Sequence, residues 1–344
     1  MIEDPLPEQT EFSFEDLLGA LRDEANPFPA RYLYRLSGLE GNELDQLRKV
    51  WPLLSAQRRL GLLEDLELLA ESNTVMHFDA VDQQALSDEE AEIRIVAIRS
   101  LWPSEQKDLI PVFIDLLNKD ENTGVRAQAA AALGRFVYLG ELGKIPTGTL
   151  KEVEEQLLDV LDADVDPIVQ RRALESLGYS SRPEVADLIE GAYQGGEPDW
   201  VASALFAMGR SADDRWAPIV IEHLQDTNPD LSREAARAAG ELELSEALSG
   251  LLELLEDDDS EVRLAAAWSL SQIGGREAAD ALEGLLERSD DEDEIDLIEN
   301  VLENLAFTEE LGELNLLDFA TDDLEDLTHP EEDKNGNNED LDAD

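Results

Sequence analysis

Among its 344 residues the chain has no cysteine. That excludes disulfide frameworks, thiolate nucleophiles and thiolate metal sites together. Histidine is almost as scarce: His77, His223 and His329 stand far apart and show neither H-E-x-x-H nor H-x-x-E spacing. No zinc site is predicted. Neither a G-x-x-x-x-G-K-S/T loop nor a G-x-G-x-x-G turn after a strand is present, so nucleotide binding has no support. Positive charge is thin as well, with 26 Lys and Arg against 82 Asp and Glu and a formal charge of −56. A surplus of that size repels phosphate backbones and anionic membrane surfaces. Nucleic acid and membrane are therefore not expected as partners. No apolar run approaches the ~20 residues of a membrane helix, and the start, MIEDPLPEQTEF, lacks the basic and apolar segments of a signal peptide. A cytoplasmic location is expected.

What is present is a repeated unit. Its clearest copy is DSEVRLAAAWSLSQIG, residues 259 to 274. Aligned on its apolar anchor, the pattern recurs at Ile93, Val125, Val169, Trp200, Leu231 and Val262. Four residues after each anchor stands Ala97, Ala129, Ala173, Ala204, Ala235 or Ala266. Eight after comes Leu101, Leu133, Leu177, Met208, Ala239 or Leu270, and nine after Trp102, Gly134, Gly178, Gly209, Gly240 or Ser271. The last three intervals are each 31 residues, the first is 32 and one is 44.

Residues at i, i+4 and i+8 share one helix face, and a small middle residue lets a neighbouring helix approach closely. Each anchor helix follows an acidic or proline-bearing turn, where Asp, Ser and Asn cap helix starts. A second apolar helix precedes each turn: 109–117, 150–161, 185–193, 216–224 and 247–255. The unit is helix, turn, helix, stacked on its neighbours.

This pattern, carried by Val125, Arg126, Ala129, Leu133 and Gly134 and again by Val262, Arg263, Ala266 and Leu270, resembles the HEAT repeat family. Its short period resembles the subtype of phycobilin lyase-like proteins. The resemblance implies an all-α solenoid of about seven to eight stacked antiparallel helix pairs whose second helices line a concave surface. The expected boundaries are a flexible N-terminal arm over 1–15 and the solenoid over 16–308. Capping helices fill 16–88, clear repeats 89–275 and a C-terminal cap 276–308. An acidic tail over 309–344 carries fifteen acids and one lysine, a charge of −14 that leaves −42 on the rest. Its polar end is expected to be disordered.

Ten candidate partner-binding residues follow. Eight are arginines in or beside the anchor helices, Arg94, Arg126, Arg135, Arg171, Arg172, Arg233, Arg237 and Arg263, which would make a locally basic groove for an acidic or helical segment. The protein's own tail is one candidate occupant. The plainer alternative pairs each arginine with turn acids of its own or the adjacent repeat, and the excess of acids favours it. Tyr138 and Lys144 come from the 44-residue interval, whose extra residues are placed in an edge loop at 138–148. In Ser203 to Trp216, Phe206 and Met208 are assigned to the core, with Asp213 or Asp214 as a cap.

DADVDP at 162–167 imitates the opening of a calcium loop, but Pro167 replaces the required glycine. DKNGNNEDLDAD at 333–344 departs from the motif similarly. The paired His-Glu dipeptides of HEAT-type di-iron hydroxylases are missing. The resulting expectation is a monomeric, non-catalytic protein-interaction scaffold or assembly factor that needs no cofactor. The alternative is a bilin lyase-like enzyme or cofactor chaperone. The acidity also admits a reading as adaptation to salt, since only six of the 26 bases are lysine.

Overall fold

The computed structural model describes residues 12–164 and 166–313. Ser13 starts the first helix with a capping box: its hydroxyl accepts from the Asp16 N–H while the Asp16 carboxylate accepts from the Ser13 N–H at 2.9 Å. That helix, α1, spans Phe14–Arg22, so it begins inside the stretch read as an arm. Phe14 is buried and Phe12 stands edge-on to Tyr32 at 4.5 Å. There follow α2 (Gly41–Val50), α3 (Ala56–Ser72), α4 (Asp79–Ala85), α5 (Ala91–Ser100), α6 (Leu109–Lys119), α7 (Thr123–Glu141), α8 (Thr147–Ala163) and α9 (Pro167–Leu177). The second half comprises α10 (Pro183–Gln194), α11 (Pro198–Arg210), α12 (Ala217–His223), α13 (Pro229–Glu241), α14 (Leu248–Leu254), α15 (Ser260–Ile273), α16 (Arg276–Arg288) and α17 (Glu292–Glu313). No strand occurs among the described residues, and none of their helices is long and apolar enough to cross a membrane.

The helices pair as α2/α3 through α16/α17, eight pairs, within the expected count. The first member of each pair forms an outer layer. The second members, α3, α5, α7, α9, α11, α13, α15 and α17, pack against one another in order. The anchor-plus-four alanines are all fully buried, and so are Leu133, Leu177, Met208, Ala239 and Leu270 at anchor plus eight. The glycines at anchor plus nine show how close the inner helices lie. A Cβ on Gly178 would sit 2.9 Å from Ala207 Cα, one on Gly209 2.8 Å from Ala238 Cα, and one on Gly240 2.8 Å from Ser269 Cα. Outer helices meet their outer neighbours far more sparsely. A stack that is tight in one layer and splayed in the other curves toward the tight one, so the inner helices line the concave side.

The insertion departs from expectation. Instead of a loop over 138–148, α7 runs on to Glu141 and α8 begins at Thr147. Glycine and proline there serve helix ends and packing. Gly143, at φ +71°, ends α7, with the Lys144 N–H donating to Leu139 C=O at 2.8 Å. Gly140 leaves room for Leu150, whose Cδ1 would lie 2.6 Å from an added Cβ.

One buried acid is mismatched to its surroundings. Asp82 on α4 is 4% exposed and its Oδ1 has no hydrogen-bond partner among the described residues. Burial, with Asp79 and Glu67 nearby, holds its carboxyl well above the usual range. A carboxyl raised in the folded state binds protons more readily folded than unfolded, so it favours folding at low pH and opposes it as pH rises through the raised value. Asp82→Asn is therefore expected to be more stable than wild type at pH 8 and to lose that advantage toward pH 4. Urea midpoints at the two pH values measure this.

Candidate functional site

The arginine of the V-R pair has one job, repeated. Arg94 Nε and Nη2 donate to the two carboxylate oxygens of Asp120, both at 2.8 Å, and Nη1 donates to Asp88 C=O at 2.7 Å and Glu89 C=O at 3.1 Å. Arg126 does the same to Asp164 and to the carbonyls of Asp120 and Glu121. Arg263 reaches Glu294 at 2.7 Å and the carbonyls of Asp257 and Asp258. Each guanidinium thus fastens the turn before its own helix to the turn of the next repeat. The turns are built alike. Asp120 Oδ1 accepts from Asn122 N–H and Asn122 Oδ1 from Val125 N–H. The same two steps recur from Asp226 through Asn228 to Asp230 and from Asp257 through Asp259 to Glu261. In the calcium-like DADVDP stretch, Asp164 and Asp166 are occupied as such a turn. Arg94, Arg126 and Arg263 are therefore structural clamps, the plainer of the two readings.

The clamp lapses in the middle of the stack, where Gln170, Val201 and Ser232 hold the position after the anchor. Those repeats carry a different surface. Positions 3, 6 and 10 after the anchors of these three repeats lie along the margin of the packed face, running from buried Glu175, Ser203 and Glu234 to exposed Arg172 and Glu241. They hold Arg172, Glu175 and Tyr179 in or just after α9, Ser203, Phe206 and Arg210 on α11, and Glu234, Arg237 and Glu241 on α13. Glu175 accepts from the Ser203 hydroxyl at 2.7 Å and pairs with Arg172. Glu234 takes Arg233 at 3.3 Å and Arg237 at 3.5 Å, yet its Oε2 is buried without a partner. Burial raises the carboxyl of Glu234 above its usual value. Arg171 turns aside, to the Asp199 carbonyl and carboxylate at 3.2 Å.

Next to this network runs a strip of alternating rings and guanidinium groups. The Arg135 guanidinium lies 5.8 Å from the Trp102 ring and 5.5 Å from the Tyr138 ring. Tyr138 meets Tyr179 at 5.2 Å. Arg210 lies 4.6 Å from Tyr179 and 4.0 Å from Phe206. The strip spans the inner helices from the end of α5 to α11, about 25–30 Å at 8–10 Å per helix. Trp102 is 42% exposed and Tyr138 37%, large rings for a surface. Arg135 is held by Glu105, which also takes Lys144 at 3.5 Å. Arg210 forms no ion pair among the described residues. It donates only to Glu175 C=O at 3.3 Å, and its Nε is buried with no partner. Burial pulls its guanidinium below the usual arginine value.

The structure thus gathers Arg135, Tyr138, Arg172, Arg233 and Arg237 on one face, with Lys144 beside it, and sends Arg94, Arg126, Arg171 and Arg263 to the turns. The ten candidates did not include Trp102, Tyr179, Arg210, Glu175, Glu234 or Glu241. Phe206, assigned to the core, is half-buried, because its position six after the anchor points off the packed face. Asp213 is the residue that caps, accepting from Arg215 N–H at 3.1 Å.

Eight stacked antiparallel helix pairs with a conserved inner-layer rule define an all-α repeat solenoid. The HEAT repeats family model matches residues 80–147 and 217–303, and those regions are HEAT repeats. Solved structures of similar course include the CpcE–CpcF complex of phycocyanin lyase from Nostoc sp. PCC7120. It is 20% identical over 66% of this chain and 94% of that one, with a TM-score of 0.46. Yeast importin-β is 14% identical over 85% of this chain and 46% of that one, at a TM-score of 0.44. Human deoxyhypusine hydroxylase is 18% identical over 76% and 95%, at 0.34. A comparison with curated proteins finds no match.

Proposed function

We propose that this chain is a non-catalytic scaffold that holds a segment of a partner protein across the inner face of α5 to α13. The observation that carries the reading is the strip Trp102, Arg135, Tyr138, Tyr179, Arg210 and Phe206. Trp, Tyr and Arg are the residue types in which binding energy concentrates at protein interfaces, because they supply large area with few rotatable bonds and fixed donors. Both arginines of the strip, Arg135 and Arg210, have a buried Nε without a hydrogen-bond partner among the described residues. A strip of 25–30 Å matches an extended segment of eight or nine residues at ~3.3 Å each. Specificity would come from the charge order along the face, cationic at Arg135 and Arg210 and anionic at Glu234 and Glu241.

The test is affinity capture from the source cells with wild type and with Tyr179→Ala/Phe206→Ala. The double variant is expected to lose at least tenfold of a stoichiometric partner while melting as wild type does. Equal recovery would overturn the reading. A tetrapyrrole titration separates the bilin lyase-like alternative, since the scaffold predicts an unchanged absorbance spectrum and the alternative a shifted one.

A further inference from the structure

We propose that Arg210 is a carboxylate-receiving site whose occupant is the chain's own acidic segment 318–327, DFATDDLEDL. The inference rests on the inner face being a binding surface and adds what covers it in the isolated protein.

In a chain with more than three acids for every base, nearly every inner-helix arginine already has a carboxylate. Arg210 has none among the described residues, and its cation is held between two rings with Nε buried, which leaves the terminal Nη groups as the donors an incoming group can reach. Orienting a guanidinium this way, without an ion pair, leaves its donors set for an incoming planar anion. The nearest acids leave the guanidinium without an ion pair. Glu175 spends its carboxylate on Arg172 and Ser203, and Glu241 attracts Arg210 electrostatically from beyond ion-pair distance. The flanking rings ask for apolar side chains beside the anion. The segment 318–327 has that composition: Asp318, Asp322, Asp323, Glu325 and Asp326 interleaved with Phe319, Leu324 and Leu327.

Reach decides which part of the tail is meant. The inner helices run parallel, so α17, which ends at Glu313, delivers the chain to the same edge of the stack as Arg210 near the end of α11. Three inner-helix steps separate them, about 24–30 Å. The run 314–319 spans at most about 20 Å from Glu313, so Asp318 and Phe319 lie on the approach, whereas Asp323 to Asp326, ten to thirteen residues on, reach about 33–47 Å and arrive. Tethering makes the encounter intramolecular.

The experiment places the photocrosslinker p-benzoylphenylalanine at Phe206 of the purified full-length chain and maps adducts by mass spectrometry. The expected result is an intramolecular adduct to 318–327 that is independent of protein concentration. It should fall at least tenfold when Asp322→Lys, Asp323→Lys, Glu325→Lys and Asp326→Lys are combined. The charge-reversed chain is expected to melt as wild type does. A synthetic peptide of residues 314–344 should then bind the charge-reversed chain, and at least tenfold more weakly after Arg210→Gln. No tail adduct, an adduct indifferent to charge reversal, or one that grows with concentration as a dimer would each overturn the proposal. Because no partner is present, failure here leaves the capture result standing, and failed capture with a tail adduct would refute only the scaffold reading.

Discussion

Asp88→Ala is expected to lower the stability of the N-terminal third by about 3–5 kcal/mol, the range for stranding one member of a buried ion pair. The Asp88 carboxylate is fully buried and accepts from Arg59 at 2.9 Å, from the Trp51 indole N–H at 2.7 Å and from the Glu90 N–H at 3.0 Å. Arg59 is itself 5% exposed, so removing Asp88 leaves a guanidinium with no route to water and only Glu89 at the rim. The same substitution removes the acceptor of the Glu90 N–H in the turn before α5 and releases the clamp between α3 and the first repeat. In a stack where each unit touches only its neighbours, the loss should appear as early unfolding of the capping helices. In a background with the other four tryptophans replaced by phenylalanine, Trp51 fluorescence is expected to report a first urea transition well before the far-ultraviolet dichroism of the repeats. Pairing the change with Arg59→Met should recover part of the loss, since it removes the stranded charge.

Gly209→Ala is expected to cost about 1–3 kcal/mol, although alanine is the better helix former. The added Cβ would meet Ala238 Cα at 2.8 Å, and backbone on the neighbouring inner helix can yield only by separating α11 from α13. That displacement falls under Arg210 and Glu234, so partner capture should weaken with stability. Gly191→Ala supplies the opposite sign. It lies inside α10 with nothing within 4 Å of its Cβ, so it should stabilise by about 0.5–1 kcal/mol. Thermal melts of the two variants side by side separate packing from helix propensity.

These expectations also show what the amino-acid order makes legible. The anchor, the alanine four later and the leucine eight later could be read directly because buried positions repeat at a fixed period and tolerate few side chains. The structural role of the V-R arginine was one of two open readings, and the geometry of Arg94, Arg126 and Arg263 selects it. The 138–148 segment was misread because Gly140, Gly143, Pro146 and Gly148 resemble loop punctuation. Gly140 is a packing glycine, and which glycines pack depends on a neighbour, Leu150, that local reading does not supply. Asp88, Arg59 and Trp51 meet across 29 and 37 residues, with no local pattern to announce it. The inner face was hidden differently. Its residues do not repeat in type, so Tyr179, Arg210 and Glu241 look unrelated until each is counted as the tenth residue after its anchor. Laying out columns 6 and 10 brings Arg135, Tyr179, Phe206 and Arg210 together from sequence alone, but Trp102 and Tyr138, nine and thirteen after their anchors, join them only in the fold.

The central claim is that recognition belongs to the inner-face strip rather than to the turns or the outer layer. Its most direct test is in-cell photocrosslinking with p-benzoylphenylalanine at Tyr138 on the strip and at Val112, an exposed position on the outer helix α6, in the charge-reversed tail variant. A discrete adduct with one foreign protein from position 138, absent from position 112 and lost on Tyr179→Ala/Phe206→Ala, is the predicted result. Equal adducts at both positions, or an adduct from position 112 alone, would contradict it.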